Sequence, residues 1–587
     1  MRLDLAHPPR FGSMLATFAG AALAFAAPLL VPTSASACGG TFCDSGPTAM
    51  PVDQTGENIL FHVTDTSVEA HIQIQYNPDS GAEQFAWVIP VMAIPEFSVG
   101  SQLMFDAVLA ASVPSYGLSI QNDFCSDENV PQSAGETGAA DDGGFGGSAT
   151  GGDEGSNGDP TVVLQTTVGA FDISVLEGGT VESVMQWLGD NGYQQDPAAE
   201  PILAEYLAND FLFVAMKLSN QAGVDEIHPI VIRYEGNEPC VPIRLTRIAA
   251  VEDMEIRAFF LQEARVVPTN YRHVLINPLK LDWVDNASNY KEVISMAVDA
   301  QKADGNAFVT EYAGTSQNIA TWMIYQDWVS EPFAGLVDSP IGAIEELENQ
   351  GLMLCDTDWD TACTYMHPLL ESIITEFIPV PDGVEANLFY DCLSCYVDQI
   401  DLAAWDAAAF VERLDERVIA PAKSAVALIQ NNPYLTRLYT TISPAEMNED
   451  PIFRVNTTLP DVPNINFANQ INHCDGSATV VLPDGREVLF SDAGNIVWPD
   501  FADEMPWEEA VDQENMADDA PLVNLVDNTD RINELLAAHN AGSKAQITGV
   551  GGGSCACAVQ ADDAPRGIAL GLACLGLLGL VRRRRQG

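Results

Sequence analysis

The chain has 587 residues, 47% hydrophobic and 18% charged, which is enough apolar material to bury several layers and excludes wholesale disorder. Its length allows roughly two to four domains. With 25 Lys and Arg against 83 Asp and Glu the formal charge is −58, so a phosphate backbone is repelled and nucleic acid is excluded as a partner.

Residues 1–37 read as a signal peptide. Arg2 and Arg10 give a positive start, Phe11 to Val31 is almost wholly apolar, and Ala35-Ser36-Ala37 is an A-x-A site for signal peptidase. Cleavage after Ala37 makes Cys38 the first mature residue. Acylation of Cys38 and an uncleaved anchor are the alternatives. Ala35 stands where lipoprotein signals carry Leu, and Pro28 and Pro32 favour cleavage.

Residues 38–280 read as a β-rich α+β domain with inserted helices. Strands are expected at Ile59–Val63, Val68–Tyr76, Phe85–Val91, Thr161–Val168 and Phe171–Leu176. Val68, Ala70, Ile72, Ile74 and Tyr76 alternate with Glu69, His71, Gln73 and Gln75, the cleanest period-two signal in the chain. Between these groups, residues 126–160 are rich in Gly, Asp, Glu, Ser and Ala, with Phe145 the only aromatic. They are expected to be a disordered insertion. Helices are predicted at Val181–Asn191, with Thr180 as its cap, and at Ala198–Asn209. Strands then resume at Phe211–Lys217, Ile227–Tyr234, Val241–Thr246 and Ile256–Phe260.

Residues 281–545 read as a helix-richer C-terminal region. Helices are expected at Tyr290–Ala300, Pro340–Glu348, Pro368–Phe377 and Leu402–Ile429, the last broken at Pro421. A late hairpin over 478–490 is signalled by Ala478–Leu482, the turn Pro483-Asp484-Gly485 and Val488–Phe490. The fold class expected for the whole is α+β.

Nine cysteines lie in this body: Cys38, Cys43, Cys125, Cys240, Cys355, Cys363, Cys392, Cys395 and Cys474. Outside the cytoplasm disulfides are the default. Close spacing suggests Cys38 with Cys43, and pairing among Cys355, Cys363, Cys392 and Cys395. Nine is odd, so one is left free, acylated or joined to another chain. Cys392-Leu393-Ser394-Cys395 also admits a redox dithiol, or half a zinc site with Cys355 and Cys363.

Asp356, Asp358 and Asp360 resemble the opening of a calcium loop. However, Thr361 stands where the sharp turn needs Gly and His367 where a bidentate Glu is needed, so a solvated acidic turn is the better reading. No other cofactor is indicated. His228, His273 and His473 are isolated in sequence, and His473-Cys474 is the only adjacent His/Cys pair. The chain has no H-E-x-x-H, phosphate-binding lysine loop or G-x-S-x-G.

Residues 546–587 read as a sorting tail: Gly551-Gly552-Gly553-Ser554-Cys555-Ala556-Cys557, a short transmembrane segment at 567–581, and Arg582 to Arg585. At about 1.5 Å per residue that segment reaches roughly 22 Å, against a hydrocarbon core of about 30 Å. It suits a transient stop better than a permanent anchor. The tail resembles the myxobacterial C-terminal sorting domain (MYXO-CTERM), which implies processing at Cys555 or Cys557 by a sortase-like protease and attachment at the outer cell surface. A slightly short single-pass anchor is the alternative.

The body resembles an uncharacterised exported bacterial family, domain of unknown function 2330. The residues that carry the likeness are Ala37-Cys38-Gly39-Gly40-Thr41-Phe42-Cys43, Pro51-Val52-Asp53-Gln54-Thr55-Gly56-Glu57 and Phe85-Ala86-Trp87-Val88-Ile89-Pro90-Val91. Asn191-Gly192-Tyr193 and Asn432-Pro433-Tyr434-Leu435-Thr436-Arg437 extend it. That resemblance implies no activity, cofactor or catalytic residue. The reading from sequence is therefore an exported protein of the membrane or outer surface, acting through binding or envelope structure. A secreted hydrolase with a site assembled from distant residues and a calcium-dependent adhesin are the alternatives.

Charge is unevenly spread. From Cys38 to Met216 there is no Lys or Arg, Lys217 to Lys302 holds ten, and Ala303 to Glu412 again has none. Carboxylates of the first segment are left to solvent, to cations or to the basic segment. Screening should relieve their self-repulsion. Melting temperature is expected to rise steeply between very low and physiological ionic strength, and a flat response in a thermal melt contradicts this.

Overall fold

Alternation of apolar and polar side chains, read in sequence at residues 68–76, builds the two facing sheets at the centre of the protein. The computed structural model describes residues 40–43, 54–76, 85–124, 160–193, 197–219, 226–241, 243–355, 363–501, 504–517 and 520–548. The leader, residues 126–159 of the expected insertion and the tail from 549 lie outside the described residues. Strands in chain order are β1 Gly40–Cys43, β2 Gln54–Val63, β3 Ser67–Tyr76, β4 Phe85–Val91, β5 Glu96–Val99, β6 Ser115–Asn122, β7 Thr161–Val168 and β8 Phe171–Glu177. Next come β9 Leu212–Leu218, β10 Ile230–Glu235, β11 Ala250–Gln262, β12 Val266–Pro268, β13 Arg272–Ile276, β14 Ala307–Thr315, β15 Met353–Cys355 and β16 Cys363–Tyr365. The series ends with β17 Tyr434–Ile442, β18 Phe453–Val455, β19 Ile465–Asn472, β20 Ala478–Val481, β21 Glu487–Phe490, β22 Glu508–Gln513 and β23 Val523–Asp527.

A ten-stranded sheet runs β23-β22-β13-β14-β17-β11-β2-β3-β10-β5, and a five-stranded sheet runs β1-β4-β9-β8-β7. Their inner faces share one core, in which Ile59, Phe61, Val68 and Ile72 meet Trp87, Ile89, Ile173 and Val214. Helices close both outer faces. The first helix, α1 Gln102–Ser112, belongs to the ten-stranded side; on the five-stranded side, α2 Val181–Asp190 and α3 Ala199–Leu207 set Leu188, Leu203 and Tyr206 against Val88, Leu176 and Phe213. On the ten-stranded side, Leu60, Phe259, Leu261 and Leu435 pack under α1 and the helices of residues 321–431. The result is four layers, helix, sheet, sheet, helix, and the fold is α+β. The β19–β21 strands and β6 form a separate four-stranded sheet, and the hairpin read at 478–490 is β20–β21.

The capping signals act as read. Thr180 Oγ1 accepts the Ser183 N–H at 3.2 Å, and Ser183 Oγ accepts the Thr180 N–H at 2.9 Å. Two expectations change. Val241–Thr246 holds a short helix, Ile243–Thr246, rather than a strand: Pro242 has no N–H for a ladder, and the Asp450 carboxylate takes the Arg244 N–H at 3.0 Å. The break at Pro421 is a π-helical turn at Asp415–Ile419. Pro421 itself sits in the first turn of Ala420–Asn431, where a missing N–H costs nothing.

A boundary near residue 280 does not divide the sheet. From beyond it come β14 and β17, with β17 lying between β14 and β11, while β11 runs parallel to β2. Arg437 of β17 forms an ion pair with Glu311 of β14, both side chains at most 4% exposed. A register irregularity between Thr310 and Tyr312 surrounds Glu311, whose second oxygen accepts from Tyr290 Oη at 2.8 Å. Part of the acidic first segment is neutralised by the basic segment, through Arg233 with Glu69 at 2.5 Å and Arg244 with Glu205.

Glu57 is a buried carboxyl in the core. It lies between register partners Ile74 and Ile256, is fully buried, and neither carboxylate oxygen has a hydrogen-bond partner among the described residues. Burial pushes its carboxyl up to about 8. Because the folded pKa exceeds the unfolded one, stability is full below the ordinary value of 4.5 and falls as pH rises towards 8. His228, pushed down to about 4 by burial, has the opposite sign and costs stability as pH falls below 6.5. Glu57→Gln is expected to match the parent in denaturant melts below pH 4.5 and to exceed it by a few kcal/mol at pH 8. Equal stabilities at both pH values contradict the assignment.

Candidate binding cleft

The open end of the ten-stranded sheet, where β2 turns into β3, carries a cavity of about 770 Å³, within the usual range for small-molecule sites. Its walls follow from local chemistry. Thr64 Oγ1 accepts the Ser67 N–H at 3.0 Å and closes the β2–β3 turn, which sets Asp65 on the rim. Gln262 Nε2 donates to Val63 O at 3.1 Å and fastens the end of β11 beside that turn. The β12–β18 ribbon forms the opposite wall through Val266 and Phe453.

Beneath the cavity lies a buried aromatic layer, with Phe260 and Phe453 at most 1% exposed. Phe260 and Phe453 have ring centroids 4.9 Å apart, and Phe61 and Phe308 brace them from behind at 5.4 Å each. The rim is acidic: Asp65, Glu238 and Glu263 line it, and none has an ion-pair partner among the described residues. Among the described residues Arg454 is the one guanidinium on the wall, and it is engaged elsewhere. Its Nε lies 3.5 Å from Glu514 Oε1, and a terminal N–H donates to Ala517 O at 3.2 Å. His62 Nδ1 is 3.2 Å from Leu261 O and donates there as the Nδ1–H tautomer. Met516, 60% exposed, stands at the mouth as an adaptable apolar group.

The residues singled out in sequence lie elsewhere. Cys355 and Cys363 are register partners of β15 and β16 and are joined, as are Cys392 and Cys395 in the turn after the helix Ala386–Asp391. With both pairs bonded, this group has no thiolate left for zinc. Cys474 is also disulfide-bonded, and Cys240, 2% exposed, keeps its thiol, which contacts Val241 O at 3.7 Å. Ala37, Cys38, Asp356, Asp358, Asp360, Cys555 and Cys557 lie outside the described residues, as does the side chain of Cys43. Among the described residues no group of three or more His, Cys, Asp or Glu is placed to hold a metal ion, and no helix is long and apolar enough to cross a membrane.

The histidines are structural contacts. Burial pushes His273 down to about 3, and it stands within 3.0 Å of an Arg265 N–H and 2.8 Å of Thr310 Oγ1. His228 Nε2 accepts the Ala170 N–H at 3.0 Å, which leaves Nδ1–H to donate to Pro229 O at 2.8 Å. His473 bridges Asp123 and Thr479 at 2.8 Å each. That Asp–His–Thr chain pins the end of β6 to β20, with Thr479 8% exposed within its sheet, and it lines neither of the cavities described for this protein.

The cleft has no signal of its own in sequence. Phe260 reads as ordinary strand core in β11, Phe453 lies far off in β18, and the lining residues are scattered over about 450 positions, from His62 to Met516.

Residues 32–373 match the family described as "Uncharacterized protein conserved in bacteria (DUF2330)", and the chain belongs to that family. The matched span runs through β14 and so past residue 280. No curated protein and no solved structure matches the chain.

Proposed function

We propose that this chain is an exported protein, held at the cell surface, that binds a small amphipathic cation in the cleft beside the β2–β3 turn. The observation that carries the reading is a cavity with an apolar lining of Val63, Ile452, Val455 and Met516 beside three carboxylates, Asp65, Glu238 and Glu263, that form no ion pair with a basic side chain among the described residues. Such a surface attracts a positive charge at its rim and rewards burial of an apolar body below it. Groups with displaced ionisation such as Glu57, Glu69, His228, His273, Asp299 and His367 lie outside this cavity, which favours binding over acid–base chemistry there.

Export is supported by the Arg2 to Ala37 signal pattern and by the Cys355–Cys363 and Cys392–Cys395 bonds, which suit an oxidising compartment. In this reading signal peptidase cuts after Ala37. The apolar run at 567–581 and Arg582 to Arg585 halt export in the membrane while a sortase-like protease acts at Cys555 or Cys557.

Calorimetry of the mature chain with benzyltrimethylammonium and with benzenesulfonate tests the cleft. The cation is expected to bind at least about tenfold more tightly than the anion, a difference of ~1.4 kcal/mol. The double variant Glu238→Gln, Glu263→Gln should weaken the cation by about fivefold, in keeping with exposed charges. Equal affinity for both compounds, or a preference for the sulfonate, contradicts the reading.

A further inference from the structure

A second cavity, of about 260 Å³, lies on the outer face of the five-stranded sheet under the end of α2. The sequence marks it in an unusual way. Lys217 is the first basic residue after position 37, and it lines this cavity. Along β9, Val214 and Met216 face the inner core while Phe213 and Ala215 face the helices, so Lys217 falls on the helix side. Its register partner on β8 is Asp172, whose partner on β7 is Thr167, and Gln165 stands opposite Ser174 one step along. This corner of the face is therefore polar where the rest is apolar.

The roof comes from α2 and the turn that ends it. Trp187 is half-buried, with its ring centroid 6.2 Å from that of Tyr193. Asn191-Gly192-Tyr193 turns back over the sheet, and Gly192 at φ +89° adopts the left-handed conformation that a side chain resists. Lys217 Nζ donates to Asn191 O at 2.9 Å and lies 5.8 Å from the Tyr193 ring centre. Asp172 Oδ1 accepts from Thr167 Oγ1 at 2.8 Å.

Lys217 and Asp172 are thus neighbours of opposite charge that form no ion pair with each other. Each is held by a neutral group, and each keeps hydrogen-bonding capacity for the cavity. Burial lowers the Lys217 ammonium and the Asp172 carboxylate raises it.

We propose that this cavity binds one sugar ring, with its C–H face on Trp187 and its hydroxyls shared between Lys217, Asp172, Gln165 and Ser174. A sugar hydroxyl both donates and accepts, so adjacent hydroxyls satisfy a donor-only ammonium beside an acceptor-only carboxylate. A simple anion meets Asp172, and a simple cation meets Lys217. At about 30 Å³ per water the space equals roughly nine waters, which suits a single ring with its substituents. The site is separate from the β2–β3 cleft and does not depend on it.

Saturation-transfer NMR on the full mature chain tests this with methyl β-glucopyranoside, methyl α-mannopyranoside and N-acetylglucosamine, and with alanine as a zwitterion of similar charge pattern. Transfer to ring protons of at least one sugar is expected, falling by about fivefold or more in Trp187→Ala and in Asp172→Asn. It should persist in the Glu238→Gln, Glu263→Gln cleft variant, which separates this site from the other. If Trp187→Ala fails to fold by circular dichroism, Asp172→Asn and Gln165→Ala, the latter at an exposed position, give the same readout. No transfer to any sugar, transfer unchanged in folded variants, or transfer to alanine alone overturns the proposal.

Discussion

Everything else in this protein rests on the insertion of β17 between β11 and β14. That strand arrives from residues 434–442, pairs antiparallel on both sides, and completes a sheet whose other half was laid down before residue 262. The buried Arg437–Glu311 pair fixes its place, because a strand shifted by one residue leaves two charges without partners in the interior. The same insertion brings Thr436 Oγ1 to the Val266 N–H at 3.1 Å and so positions the ribbon that walls the cleft.

Both cavities occupy places where an apolar layer gives way at its margin. The cleft forms where the ten-stranded sheet ends at the β2–β3 turn, directly over the core aromatics Phe260 and Phe453, which are at most 1% exposed. The smaller cavity forms where the outer face of the five-stranded sheet passes from Phe213 and Ala215 to Lys217, beyond the cover of Leu188 and Leu203. Acidic composition gives the first its rim, and a scarcity of basic residues makes the second distinctive.

Much of the fold was legible wherever a single element carries its own signal. Phe85–Val91 and Thr161–Val168 are strands with the bounds expected from their β-like runs, and Thr180 caps α2 as its position before Val184, Trp187 and Leu188 suggests. What was hidden depends on partners far away in the chain. β14 and β17 are almost wholly buried, so they lack the polar alternation of half-exposed strands. The change in local periodicity near residue 280 contains nothing about strand order. Of the family motifs, Arg437 proves to be a buried structural charge and Asn191-Gly192-Tyr193 the roof of a cavity. The cleft had no motif at all, because Asp65, Glu238 and Glu263 converge only through folding.

The central claim is that the sheet is one cooperative unit built from both sides of residue 280. The most direct measurement is the folding of a fragment comprising residues 38–280, followed by near-ultraviolet circular dichroism and amide exchange. Without β17 the long edge of β11, with its buried Phe259 and Leu261, is left bare, and the fragment is predicted to show no cooperative melt and no protected amides in β11. A fragment that melts cooperatively with protected β11 amides contradicts the account.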